Sequence, residues 1–86
     1  MEIVIENASS QHLNLVRLVL GITDVKVEQR WVELGRIGDS LADELRTVIV
    51  FQLPNLDDAM NTLTHVFEGT QCNLFAPELG LRWTVA

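Results

Sequence analysis

Residues 46–69 constrain the fold of this chain most strongly, because they combine a strand signal and a helix signal separated by a proline. Residues 47–51 (TVIVF) are β-branched or aromatic, which favours a strand with little exposed surface. Pro54 ends this run, since it has no backbone N–H to donate. Asn55 is suited to cap a helix and Gly69 is suited to end one. The stretch therefore predicts a core strand followed directly by a helix.

The helix predicted between Asn55 and Gly69 is amphipathic. Apolar residues recur at helical spacing on one side of it: Leu56, Ala59, Met60, Leu63, Val66 and Phe67. Polar residues fall on the other side: Asp57, Asp58, Asn61, His65 and Glu68. The two adjacent aspartates lie at the positive end of the helix dipole, so we interpret them as capping charges and not as a catalytic pair.

The first half of the chain predicts a strand, a helix and a second strand. Residues 1–7 alternate between apolar and other side chains, which is strand periodicity. Residues 13–22 are almost wholly apolar and follow two serines that can cap a helix, although a buried strand is the alternative for so short a run. Residues 25–30 alternate again. Val32 and Leu34 are out of phase with them, which predicts a bulge near residues 29–31 or the end of the strand.

The segment after this strand has two interpretations. Residues 35–38 (GRIG) predict a loop, after which Asp39 or Ser40 caps a short helical turn through Leu45. The competing interpretation continues that helix to Leu53, because apolar residues also recur there at helical spacing. The concentration of β-branched residues just before Phe51 favours a turn followed by a strand.

Together these elements predict an α+β fold. Beyond the helix, residues 72–76 and 81–85 form short apolar segments around a Pro-initiated turn, so an extra C-terminal hairpin strand is possible. The order strand, helix, strand, strand, helix, strand is that of ferredoxin-like βαββαβ domains, whose helices cover one face of an antiparallel sheet. A chain of 86 residues has room for one domain, which we expect to span residues 1–86.

The sheet face opposite the helices is the site that the sequence predicts. Val4, Val48 and Val50 lie along its middle, and Arg82 lies at its rim. Further polar side chains flank the valines: Glu2, Glu6, Lys26, Glu28, Arg30, Arg46 and Gln52. Contiguous exposed apolar surface marks interfaces, so Val4, Val48, Val50 and Arg82 are candidate contacts for a second copy or another protein. The alternative is that the valines form a small patch without a partner.

Composition argues against several classes of partner. The net charge is −6, from 12 acidic and 6 basic side chains, whereas nucleic-acid affinity depends on lysine and arginine contacts to phosphates. No apolar run approaches the roughly 18 residues that span a membrane, and the N-terminal residues lack the basic region of a signal peptide. Cys72 is the single cysteine, so no intrachain disulfide forms. We expect a cytoplasmic protein with no cofactor and no nucleic-acid or membrane partner.

Residues 34–41 (LGRIGDSL) resemble the GXXG loop with which KH domains hold nucleotide backbones. The resemblance implies a loop between two helices with cationic side chains beside it. Arg36 is the only cation in this segment, and the residues before it predict a strand. RNA-recognition domains with the ferredoxin-like order instead need aromatic residues on the central strands, where this chain has Val48 and Val50. Nucleic-acid binding is not predicted.

Catalytic motifs are also missing from the sequence. His12 and His65 are the only histidines, and neither belongs to a motif that pairs a base with a nucleophile. Cys72 is expected to pack as a small hydrophobic residue. We therefore expect a non-enzymatic interaction or homo-oligomerisation module. The runner-up is a small-molecule-binding regulatory domain with a pocket at Trp31 or Trp83, although indoles in so small a chain more often anchor a core or an interface.

Overall fold

The computed structural model describes residues 1–37, 40–55 and 57–86 and places them in an α+β fold, as the sequence predicts. Its elements, in chain order, are β1 (Glu2–Ile5), α1 (Ser10–Asn14), β2 (Lys26–Ile37), β3 (Ser40–Gln52), α2 (Asp57–Phe67), β4 (Cys72–Ala76) and β5 (Leu81–Val85). A π-helical turn, Leu15–Val19, continues α1, and a 3₁₀ turn, Pro77–Leu79, joins β4 to β5. Within the described residues, neither helix is long and apolar enough to cross a membrane.

The five strands form one open antiparallel sheet with the order β2-β3-β1-β4-β5. The short strand β1 lies in the centre, between β3 and β4. The sequence did not decide whether an extra C-terminal hairpin strand forms. The strand is present as β5, which pairs with β4 over its full length. Strands β2 and β5 form the two edges of the sheet.

Both predicted helices are confirmed. The Ser9 hydroxyl accepts the backbone N–H of His12 at 3.1 Å and so caps α1, which excludes the alternative of a buried strand in residues 13–22. Helix α2 buries Leu63 and Phe67 completely. Gly69 ends it with a φ of +79°, a left-handed conformation that glycine adopts without strain. Leu56, predicted for the apolar side of this helix, lies outside the described residues.

The main core lies between the helices and one face of the sheet, which we call the helix side. Its buried residues come from both helical segments and from four of the strands: Ile3, Ile5, Val16, Ile49, Phe51, Leu63, Phe67, Cys72, Leu74, Ala76 and Val85. Burying a side chain of the Val, Leu, Ile or Phe type contributes about 1.5–3 kcal/mol. This cluster therefore holds the helices against the sheet.

The short helical turn predicted through Leu45 is wrong, and so is the competing long helix. Strand β3 is continuous from Ser40 to Gln52, and every residue of it up to Val50 pairs with β2. The capping pattern around Ser40 is a local preference, and the ladder of hydrogen bonds along β2 outweighs it. Asp39, the other predicted cap, lies outside the described residues.

The predicted bulge is displaced along β2. The register with β3 is regular from Lys26 to Glu33 and shifts between Glu33 and Gly35, where Gly35 has a φ of +120°. The change of phase that suggested a bulge near residues 29–31 has another cause. Val27 and Val32 lie on opposite faces of a regular strand, and only Val32 is buried.

Candidate interaction surface

The three valines of the predicted interface lie on one face of the sheet, opposite the helices, but they are not exposed. Val4 pairs with Val50, and Val48 is two residues further along β3 on the same face. Their exposed fractions are 2% for Val4, 0% for Val48 and 5% for Val50. They form a second buried cluster with Val32, and Phe75 packs against it. The expectation of an exposed apolar centre on this helix-free face is therefore wrong.

Curvature of the sheet explains this burial. We call residues 26–33 of β2 and the paired residues 43–50 of β3 the ribbon. Ribbon residues Val32 and Arg46 line the same groove of about 290 Å³ as Asn73, Arg82 and Thr84 from β4 and β5. In a flat sheet β2 and β5 would be about 19 Å apart, because strands are spaced by about 4.8 Å. The sheet must therefore curl toward its helix-free side, and it covers its own valines.

Charged side chains from the predicted rim complete the cover. Arg30 Nη2 donates to Glu2 Oε1 at 2.7 Å, and Arg30 Nε donates to Glu28 Oε1 at 2.7 Å. The hydrogen bond with Glu2 raises the pKa of Arg30, so this guanidinium stays charged. Its aliphatic stem can cover apolar surface while the charged end remains at the solvent. Together with Val50, these three side chains line one groove.

Arg82, the fourth predicted contact, is bound within the chain. Its Nε donates to Glu6 Oε1 at 3.0 Å, and its guanidinium carbon lies 3.9 Å from the centroid of the Phe75 ring. The Glu6 side chain is only 7% exposed, whereas that of Arg82 is 42% exposed. The guanidinium thus neutralises a buried carboxylate and covers an aromatic ring, which gives Arg82 a structural role in the single chain.

The exposed apolar surface lies instead on the helix side of the ribbon. Val27, Trp31 and Leu45 are 53%, 71% and 51% exposed, and we call them the ribbon patch. Val27 pairs with the core residue Ile49 and Trp31 pairs directly with Leu45, so all three share the helix-side face. Trp31 and Leu45 lie at the end of the ribbon beyond the β3 residues that pair with β1. Val27 lies nearer the helices and lines a groove with Leu13 of α1, but more than half of its side chain is still exposed.

Two polar residues lie within the ribbon patch and bind each other. Gln29 and Thr47 lie between Val27 and the Trp31–Leu45 pair, and Gln29 Nε2 donates to Thr47 Oγ1 at 2.7 Å. Further exposed apolar residues lie on the π-helical turn, on the 3₁₀ turn and on β5: Leu18, Val19, Leu79 and Leu81. Single exposed apolar side chains are ordinary, whereas an indole and two aliphatic side chains on one face are the kind of surface that contacts partners.

The residues considered for catalysis are not brought together. His12 is 2% exposed, its Nε2 donates to the Thr70 carbonyl at 3.2 Å, and its Nδ1 is buried without a partner in the described residues. His65 is exposed on α2. Burial raises the pKa of the Cys72 thiol to about 12, so the thiol is not ionised at neutral pH. No group of three or more His, Cys, Asp or Glu side chains within the described ranges is arranged to hold a metal ion.

No family model matches this chain, and neither a curated protein nor a solved structure is similar enough to it to be matched.

The sequence contains a signal for the ribbon patch. Strand periodicity continued backward from Phe51 puts Ile49, Thr47 and Leu45 on one face, and the same parity on the partner strand selects Val27 and Trp31. The helical turn predicted through Leu45 interrupts this alternation, so the sequence prediction misses the exposed face.

Proposed function

We propose that the chain is a non-enzymatic self-association module whose contact surface is the ribbon patch. The observation that carries the proposal is Trp31, which is 71% exposed beside a 51% exposed Leu45 on a regular two-stranded segment. Tryptophan is enriched among residues that dominate binding energies, and flanking aliphatic side chains exclude water around it. A surface of this kind on a regularly paired two-stranded segment is suited to bind another protein surface.

The proposed function is the one expected from the sequence, but the contact surface is the ribbon patch and not the helix-free face. Val4, Val48 and Val50 are buried, so they cannot contact a partner unless the sheet opens. Arg82 is engaged by Glu6 and Phe75. The ribbon patch needs no rearrangement, which is why we favour it over the helix-free face.

A ferredoxin-like topology and a cytoplasmic location belong to the same proposal. The order β2-β3-β1-β4 supports the topology, since each helix connects two strands that are separated by one other strand. Strand β5 is then an addition at the edge beside β4. A reduced, fully buried Cys72 thiol is compatible with a reducing compartment.

Replacing Trp31 by glutamate is expected to weaken self-association by about 30-fold or more, because a charge then occupies the centre of the contact surface. The measurement is the molar mass by light scattering after size exclusion, at about 10 and about 200 micromolar, since dimerisation depends on concentration. Leu79→Glu is the matched control, because Leu79 is 55% exposed and lies on the 3₁₀ turn outside the ribbon.

We expect the Leu79→Glu variant to keep the mass of the wild-type protein at each concentration. A wild-type chain that is monomeric at both concentrations would overturn self-association. Equal loss in the two variants would show that the ribbon patch is not the surface involved.

A second candidate function, small-molecule binding, has one observation in its favour. A groove of about 340 Å³ lies between the end of the first helical segment and α2, and its lining includes Leu20, Ile22, Leu53 and Leu63. This volume is at the lower end of the range of about 300–1,000 Å³ typical of ligand sites. Trp83, which the sequence associated with a pocket, lines other grooves. Saturable binding of an apolar ligand in titration calorimetry, with no change in the mass of the protein, would favour this function.

A further inference from the structure

Strand β2 is an edge strand that is open to pairing. It is 12 residues long, and in the described part of the chain it pairs with β3 alone. Half of its backbone N–H and C=O groups therefore point away from the sheet. Unpaired groups in such a row are a template for another strand, and natural proteins usually block long edges with prolines, bulges, covering loops or charged side chains. The charged residues of β2 carry both signs, so a second strand can pair with this edge where opposite charges meet. In β2 the regular part, residues 26–33, precedes the bulge and contains no proline.

The sequence of this edge is complementary to itself in one antiparallel register. In a sheet that continues across two copies, paired residues lie on the same face of the sheet. The two-fold axis must therefore lie between the two copies of one residue, which pairs with itself. With Gln29 on the axis, Glu28 lies opposite Arg30 of the second copy, and Arg30 lies opposite its Glu28. Val27 likewise lies opposite Trp31 on the helix side. Opposite charges and aromatic–aliphatic pairs are the stabilising cross-strand combinations.

Neighbouring registers lack this complementarity. An axis at Glu28 places the two Glu28 carboxylates opposite each other and Lys26 opposite Arg30. An axis at Arg30 places the two guanidinium groups opposite each other, and like charges in these positions are destabilising. With the axis at Val27, the pairing would extend beyond Lys26, where β2 begins. With the axis at Trp31, the pairing would extend into the bulge between Glu33 and Gly35. The Gln29 register alone combines favourable charges with the full regular length.

We propose that the partner is a second copy of this chain, bound by antiparallel pairing of β2 with β2 around a two-fold axis at Gln29. The inference rests on the proposed function, and it specifies edge-to-edge pairing in place of face-to-face packing. Pairing joins the two ribbon patches into one apolar surface, with each Trp31 beside Val27 of the other copy. On the helix-free side, the bonded group of Arg30, Glu28 and Glu2 in each copy meets its counterpart. A guanidinium has five N–H donors, so Arg30 can also bind a further carboxylate.

Exchange of charges tests this register. Glu28→Arg alone places two guanidinium groups opposite each other, and Arg30→Glu alone places two carboxylates opposite each other. Each variant should therefore self-associate at least about tenfold more weakly than the wild type. An equimolar mixture of the two variants also allows heterodimers, which need not bring like charges together as the two homodimers do. With Gln29 on the axis, the introduced arginine of one variant instead faces the introduced glutamate of the other.

The mixture is consequently expected to form a mixed dimer more tightly than either variant pairs with itself, and native mass spectrometry measures the three species. Its second charged pair joins Arg30 of the first variant to Glu28 of the second, as in the wild type. Lys26→Glu is the control, because it changes the net charge as Arg30→Glu does. Residue 26 lies opposite Val32 in this register, so the control should have little effect.

Cross-linking provides a second test that leaves the charges unchanged. With Gln29 on the axis, Gln29→Cys places two thiols directly opposite each other at about 5 Å between Cβ atoms, close enough for a disulfide after small adjustments. Thr47→Cys is the control. Residue 47 lies one strand further from the axis, so the two introduced cysteines are roughly 14 Å apart, which is too far for a disulfide. Under mild oxidation only Gln29→Cys should give a covalent dimer, while Cys72 stays buried.

The outcomes separate this inference from the proposed function. If the mixture of charge variants stays weakly associated and Gln29→Cys does not cross-link, while Trp31→Glu still abolishes dimerisation, the edge register is wrong and the ribbon patch remains the surface. If the wild-type chain is monomeric at both concentrations, both fail.

Discussion

Val48→Glu is expected to leave the chain without a stable fold. Val48 is fully buried on the helix-free face, in the cluster with Val4, Val50 and Val32. A carboxylate there loses its hydration and finds apolar side chains around it, at a cost of at least about 4 kcal/mol. Small domains have a total stability of about 5–15 kcal/mol, so this substitution removes much or all of it. Urea unfolding followed by circular dichroism measures the loss.

The control for this experiment is Gln52→Glu, which adds a carboxylate on the same strand and the same face at an exposed position. Residue 52 pairs with Glu2, so the new carboxylate meets a like charge, but at this exposed position the expected cost stays within about 1 kcal/mol. If Val48→Glu instead gives a folded monomer with nearly unchanged stability, the helix-free face is open. The interface expected from the sequence would then be restored.

Arg82→Leu is expected to destabilise the chain by about 2–3 kcal/mol. The Glu6 carboxylate, 7% exposed, then lacks the guanidinium that binds it at 3.0 Å, and Phe75 loses the cation above its ring. Removing one partner of a buried ion pair is costly because the other charge stays buried, although the partial exposure of Arg82 keeps the effect below the full range of about 3–5 kcal/mol. Urea unfolding of the variant and the wild type gives this difference.

Arg46→Leu is the matched comparison for Arg82→Leu. Arg46 donates to Glu44 at 2.6 Å, but the Glu44 side chain is 52% exposed, so the expected loss is within about 1 kcal/mol. Adding Glu6→Gln to Arg82→Leu should recover part of the lost stability, since the buried charge is then gone. Equal losses in Arg82→Leu and Arg46→Leu would contradict a structural role for the Glu6–Arg82 pair.

Local sequence signals predicted the elements whose own residues determine them. The β-branched run at residues 47–51 and the helix that follows Pro54 are confirmed, as are the Ser9 cap and the turn after Ala76. Strand alternation also placed Val4, Val48 and Val50 on one face correctly. Each of these properties depends on residues within a few positions along the chain.

The extent of β3 and the burial of the valines depend on distant contacts. Ser40 to Arg46 form a strand because β2 pairs with them, and this pairing outweighs the local signal for a helical turn. The valines are covered because the sheet curls until Val32 reaches their cluster. Alternation specifies the face of a strand, but it contains no information on curvature. Sequence patterning therefore predicts an exposed apolar surface on the helix-free side of the ribbon, whereas the exposed apolar residues lie on its helix side.

Hydrogen–deuterium exchange of the wild-type chain at low and high concentration tests the central claim most directly, because it locates the contact without a substitution. Backbone amides at an unpaired edge exchange rapidly and are protected when a second strand binds. The other edge, β5 (Leu81–Val85), serves as the control within the same sample. We predict that exchange in residues 26–33 slows as the concentration rises while exchange in β5 is unchanged. Slower exchange in β5 alone, or no dependence on concentration in either strand, would contradict self-association through the ribbon.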